Sequence, residues 1–273
     1  MSARLESRTV EEDARYHVPN LERALKTIEF LAAHPEGRSM SEIAQALEFP
    51  RNSVFRITMT LLKHGYVERR GDGSRLALSR KILSIGYRAV AESGIVESSL
   101  EPMRQLRDFV KETVSVSILL ENEGLVLEQV PGLHPFRFVA EPGTRQPAHV
   151  SAAPKAMLAC LPASELDPLI EQMEMPRLTD RTIVDKQEYR AELARIRARG
   201  FALDRGEHEE GVVCVGAPVF DRRGYPVAAV TVTGPSSRMP DDRLEVIGIE
   251  TRIHADLISR RLGYVPPGEG QAK

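Results

Sequence analysis

Arg51, Asn52, Ser53 and Arg56 follow Pro50 closely and bring together two guanidinium forks, an amide and a hydroxyl. Such donor-rich groups reach phosphates and base edges in the major groove of duplex DNA. Arg69, Arg70 and Arg75 flank Gly71-Asp72-Gly73. Arginines at such a tip would hold phosphates, which adds affinity but little sequence information. Cys214, paired with a distant histidine, could act as a nucleophile. A lone cysteine in a run of small and β-branched residues is more often a packed thiol. The chain has no phosphate-binding loop, dinucleotide fingerprint, His-Glu-x-x-His or nucleophile elbow, and His208-Glu209-Glu210 lacks the second histidine of a zinc helix. An enzyme using Cys214 is therefore the alternative reading, and no metal or cofactor is expected.

The elements around the first group have a definite order. Leu21, Ala24, Leu25, Ile28, Leu31 and Ala32 recur at helical spacing, and the pattern stops at His34-Pro35-Glu36-Gly37. Ser39-Met40-Ser41-Glu42 is a capping box that announces a second helix with Ile43, Ala44 and Leu47 inside. After Pro50, Val54, Ile57, Leu61 and Leu62 form the buried stripe of a third helix, closed by His64-Gly65. Residues 66–78 read as a hairpin around the Gly-Asp-Gly tip. Capped helix, turn, donor-tipped helix and basic hairpin together describe a winged helix-turn-helix. A protein-interaction adaptor with a solvated basic face is the second alternative.

The charge distribution agrees with a nucleic-acid partner. Residues 20–80 carry ten Lys and Arg against seven acids, and the 193 residues that follow carry 24 against 28. Residues 81–93 continue as a helix with an apolar stripe that wants a partner, such as a second copy of itself. Two copies would read a palindromic operator, since one winged helix covers too few base pairs to be selective. Beyond residue 95 the pattern predicts a helix, then alternating strands at 114–118, 125–130 and 136–139. Helices at 151–161, 164–173 (capped by Ser164), 186–199 and 243–262 surround strands at 212–219 and 227–233. This is an α+β domain with a central antiparallel sheet and helices on its faces. The domains are a leader (1–19), a winged helix-turn-helix (20–79), a linker helix (80–94), a larger domain (95–265) and a tail (266–273). No apolar run is long enough to span a membrane, no secretory signal opens the chain, and two cysteines build no disulfide framework. A cytoplasmic protein with reduced thiols is expected.

From about Pro19 to Tyr264 the chain resembles the IclR family of bacterial transcriptional regulators. The resemblance rests on Asn20-Leu-Glu-Arg-Ala-Leu-Lys, Ser41-Glu-Ile-Ala and Arg51-Asn-Ser-Val-Phe-Arg-Ile. It is most specific in Gly200-Phe-Ala-Leu-Asp204, Glu210-Gly-Val-Val-Cys214-Val-Gly-Ala-Pro-Val-Phe-Asp221, Val230-Thr-Val-Thr-Gly-Pro235 and Arg238. It implies a repressor, the commoner mode in the family, and a GAF-like effector and oligomerisation domain after the linker. It also implies homodimers that pair into homotetramers. It implies a small carboxylate effector, held by Asp204, Cys214, Thr231 and Thr233 with backbone amides near Ala152 and Ala153. Thr231 and Thr233 are two apart on a strand, so both project to one face, with Cys214 on the preceding strand of the same hairpin. Pro154 stands where the family usually has glycine, removing one donor and stiffening the site. Two threonines where related pockets carry serines would narrow the space.

Overall fold

The structure is a computed structural model, and it describes residues 17–71, 73–82, 84–85 and 94–266. Most of the predicted linker helix, the leader and the tail lie outside the described residues. The chain divides into two compact units, Met1–Val90 and Ala91–Lys273.

In the first unit, α1 (Pro19–Ala32), α2 (Met40–Ala46) and α3 (Arg51–Lys63) pack with a three-stranded sheet of β1 (Arg38–Ser39), β2 (Val67–Arg70) and β3 (Arg75–Leu78). The capping box is complete: the Glu42 amide donates to Ser39 Oγ (3.2 Å) and the Ser39 amide to Glu42 Oε2 (2.7 Å). Ser39 also pairs with Arg75 on β3, so one residue starts the helix and ends a strand. β1 is too short to leave a pattern in sequence. The core is Leu31, Ile43, Val54, Ile57, Leu61, Val67 and Leu76. Leu21 and Leu25, part of the predicted stripe of α1, stay exposed instead.

The second unit is built on a six-stranded antiparallel sheet in the order β6-β5-β4-β9-β8-β7. The strands are β4 (Thr113–Leu120), β5 (Glu123–Val130), β6 (Arg145–Pro147), β7 (Ala202–Arg205), β8 (Val212–Phe220) and β9 (Pro226–Pro235). The helices are α4 (Ile95–Val110), α5 (Ala152–Leu158), α6 (Ala163–Gln172), α7 (Lys186–Arg199) and α8 (Asp241–Arg261). On one face Val114, Val116, Val215, Val230 and Val232 meet Met103 and Leu106 of α4 and Ile247 and Ile258 of α8. On the other, α5 covers β8, β9 and β4 and joins α7 through Met157, Leu193 and Ile196. Among the described residues no helix is long and apolar enough to cross a membrane.

Two expectations are corrected. Residues 136–139 form no strand. Pro135 supplies no amide donor, β6 and Thr144 take the rim of β5 at residues 123–126, and Phe136 and Val139 stay exposed. That backbone is held by side chains instead: Thr113 Oγ1 donates to the Phe138 carbonyl (2.7 Å) and the Ala140 amide to Gln129 Oε1 (3.0 Å). α6 starts at Ala163 behind Pro162, so Ser164 lies inside the helix and is not its cap. β6 and β7 were also missed, being three and four residues long.

α8 lies close on the sheet because Gly248 has no side chain: a Cβ there would overlap the fully buried Phe201 ring. Gly248→Ala should lower stability by about 1–3 kcal/mol, read as a lower urea midpoint with an unchanged slope. An unaltered midpoint would show that the helix can ride further out at no cost.

Candidate nucleic-acid interface and candidate ligand site

α3 presents its donors because its other side is consumed by the core. Val54, Ile57, Thr58 and Leu61 are buried, while Arg51, Asn52, Phe55 and Arg56 are exposed. Among the described residues, the side chains of Arg51, Asn52 and Arg56 make no hydrogen bond or ion pair. Ser53 is half-buried, and its Oγ accepts from Arg23 Nη1 of α1 at 3.4 Å, with that guanidinium over the Phe49 ring. Asn52, Ser53 and Arg56 line a 510 Å³ groove between α3 and α1, with Asn20 and Arg23 opposite.

The three hairpin arginines have intramolecular partners. Arg69 Nη1 donates to the Gly73 carbonyl (2.7 Å), Arg70 Nη1 to the Pro35 carbonyl (2.7 Å) and Arg75 Nη1 to the Gly37 carbonyl (3.0 Å). A guanidinium has five N–H donors, so each keeps others for a phosphate while its position is set by the protein. Phe55, exposed at the middle of the donor face, was not singled out from sequence.

The second site follows from a period of two. On β4 Thr113, Ser115 and Ser117 alternate with Val114 and Val116; on β9 Thr231 and Thr233 alternate with Val230 and Val232. Register pairs share a face. Thr113 opposes Thr233, Ser115 opposes Thr231, Cys214 opposes Thr233, and Asp204 opposes Cys214. With the valines spent on the first core, all these polar groups lie on the face that α5 covers. Gly216, opposite Thr231, is what brings α5 down: a Cβ on it would sit 2.8 Å from the Ala152 carbonyl group and 3.1 Å from the Ala153 nitrogen. Asp204, Cys214, Thr231, Thr233, Ala152 and Ala153 are therefore gathered in one place. Pro154 packs beside Gly124, whose Cβ would lie 3.1 Å from Pro154 Cδ.

Cys214 Sγ lies 3.4 Å from Thr233 Oγ1. Burial, reinforced by the Asp204 carboxylate, pushes the thiol well above its ordinary range, so it is not poised as a thiolate nucleophile. Asp204 Oδ1 accepts from the Glu207 amide (2.7 Å) and the His208 amide (3.5 Å), folding the β7–β8 loop back over the strand. Burial raises its pKa, partly offset by Lys155.

Lys155, Ser115, Ser117 and Ser151 were missed as site residues. Lys155 is fully buried, and Nζ donates to the Leu203 carbonyl (2.6 Å) and to Glu207 Oε1 (2.7 Å). A lysine inside Ser151-Ala-Ala-Pro-Lys155-Ala-Met-Leu158 was the available signal, as were the serines alternating on β4.

A winged helix-turn-helix with an open donor face, followed by an α+β unit with a polar interior beneath one helix, is the architecture of a DNA-binding transcriptional regulator. Two family models match the chain: the IclR helix-turn-helix domain over residues 20–71 and the C-terminal domain of bacterial transcriptional regulator IclR over residues 87–260. The chain belongs to the IclR family. It is 33% identical over 227 residues to the HTH-type transcriptional regulator BhcR of Paracoccus denitrificans, covering 83% of this chain and 81% of that one. It is 29% identical over 242 residues to KdgR of Escherichia coli, covering 88% and 92%. The crystal structure of Thermotoga maritima IclR matches with a TM-score of 0.71 at 29% identity, over 91% of this chain and all of that one. These relatives are transcriptional regulators, not enzymes.

Burial pushes the Glu207 carboxyl up to about 7, against the opposing pull of Lys155. Between its ordinary value and about 7 the native state holds this proton and the unfolded state does not, so stability falls as pH rises through that window. The fall should be at most about 3 kcal/mol. Glu207→Gln should flatten it, measured as urea midpoints at a series of pH values. A wild-type profile with no fall over that window, or one that Glu207→Gln leaves unchanged, would refute the assignment.

Proposed function

We propose that the chain is a ligand-responsive repressor of a catabolic operon that binds a palindromic operator as a homodimer or homotetramer. In this reading α3 enters the major groove with Arg51, Asn52, Ser53 and Arg56 contacting bases and phosphates. Arg69, Arg70 and Arg75 hold the flanking backbone. The larger unit binds a small carboxylate effector through Asp204, Cys214, Thr231 and Thr233, with the amides of Ala152 and Ala153 as further donors. Effector binding changes operator affinity by a coupling that is typically about 1–3 kcal/mol, enough to switch occupancy.

The observation that carries the reading is the division of labour in one chain: unengaged donors on the outer face of α3, and a polar, buried sheet face under α5 in the other unit. The high pKa of the Cys214 thiol weighs against the catalytic alternative. The matched helix-turn-helix family weighs against an adaptor without DNA affinity.

Duplexes selected from a random pool by the wild-type protein supply the test. Arg56→Ala should weaken the selected site by about 1–3 kcal/mol and leave random duplex little changed. Equal losses on both would make Arg56 a phosphate contact, and no loss on either would remove it from the interface. A wild-type pool that enriches no sequence would overturn the regulator reading for this unit.

A further inference from the structure

The side-chain oxygens that are buried yet lack a hydrogen-bond partner are not scattered. Among the described residues there are five: Ser117 Oγ, Asn122 Oδ1, Ser151 Oγ, Glu207 Oε2 and Thr231 Oγ1. All five belong to the surroundings of α5. Ser117 and Thr231 lie on the polar sheet face beneath it, with Ser117 opposite Ala229 of the α5 core. Ser151 precedes the first turn of α5 and its hydroxyl caps nothing. Asn122 is tied to the approach to α5, since its carbonyl accepts from the Ala148 amide (3.1 Å). Glu207 is the partner of Lys155, on α5 itself. Ser117, Ser151 and Thr231 are each at least nine-tenths buried. Buried polar groups in folded proteins are almost always satisfied, so a cluster of exceptions calls for a missing partner.

From these groups we infer that the ligand is a straight-chain hydroxylated carboxylic acid, and that Ser117, Ser151, Thr231 and Asn122 form a second half of its site. The inference rests on the small-acid effector reading above and extends it. Ser117 faces Ala229, four residues along β9 from Thr233, so the polar strip is roughly 13 Å long. A three-carbon acid cannot reach both ends. A chain of about five or six carbons with a hydrogen bond at each end does.

The chemistry of the lining selects hydroxyls on that chain. The Asn122 oxygen only accepts, so it needs an O–H donor from the ligand, and Asp204, when ionised, can accept a further one beyond the two amides it already holds. Ser117, Ser151 and Thr231 can donate or accept, and each is matched by a hydroxyl at little geometric cost. An alkyl chain or an aromatic ring laid along this strip would bury the same oxygens without partners, which is the more costly outcome.

The test uses the full-length protein, thermal shift and calorimetry. The probes are four- to six-carbon aldonic acids covering the diastereomers, with butyrate, hexanoate and benzoate beside them. The expected result is that at least one aldonate binds ten-fold or more tightly than hexanoate and benzoate. Ser117→Ala and Ser117→Val should each weaken that aldonate by ten-fold or more while leaving hexanoate unchanged or slightly tighter. Ser117→Ala removes a single oxygen, so its fold is secure, and its ligand-free melting temperature checks this directly. Hexanoate or benzoate binding as tightly as the best aldonate would overturn the proposal and leave the small-acid reading intact. So would an aldonate whose affinity ignores both substitutions. No stabilisation by any acid in the panel would sink both.

Discussion

The larger unit depends on a sheet buried on both faces for two different reasons. Sheets covered on both sides usually become apolar throughout. Here β4 and β9 keep a strict alternation, valines toward α4 and α8, and hydroxyls toward α5. The valine face secures the fold, which frees the opposite face to remain polar without threatening stability. The same alternation fixes register, because a slip of one residue would drive every hydroxyl into the aliphatic core.

What keeps that polar face closed is a local shape match. Gly216 lets the start of α5 approach the sheet backbone, and Lys155, one turn on, anchors the helix to the β7–β8 region through Leu203 and Glu207. Asp204 folds the same loop back on itself. The charged groups beside the site thus organise the loop and helix that roof it. They do not need the ligand in order to be satisfied, apart from one Glu207 oxygen. The hydroxyls further along the strip do.

Much of this was legible in the sequence because the elements concerned are long and periodic. The capping box at Ser39 and Glu42, the stripe of α3, and the hairpin of β8 and β9 around Asp221 all stand where residue pattern puts them. The short strands β1, β6 and β7 were invisible, since two to four residues carry no period. Phe136-Arg-Phe-Val139 failed for the opposite reason: it has strand propensity, but its backbone is held by the Thr113 and Gln129 side chains and joins no ladder. At the site, the pair Thr231 and Thr233 could be placed on one face by spacing. Ser117 and Ser151 could not, because their importance comes from having no partner, a property of packing and not of pattern.

The hairpin of the first unit carries a consequence for how association is timed. Arg70 and Arg75 reach back to the carbonyls of Pro35 and Gly37, at the corner that joins α1 to β1. The strands of the wing are moored to the helical part at two points before any nucleic acid arrives. A hairpin held this way has little conformational freedom left to lose on docking. Docked on a duplex in the proposed way, it would land as one rigid piece, with no separate step in which the wing must find its shape.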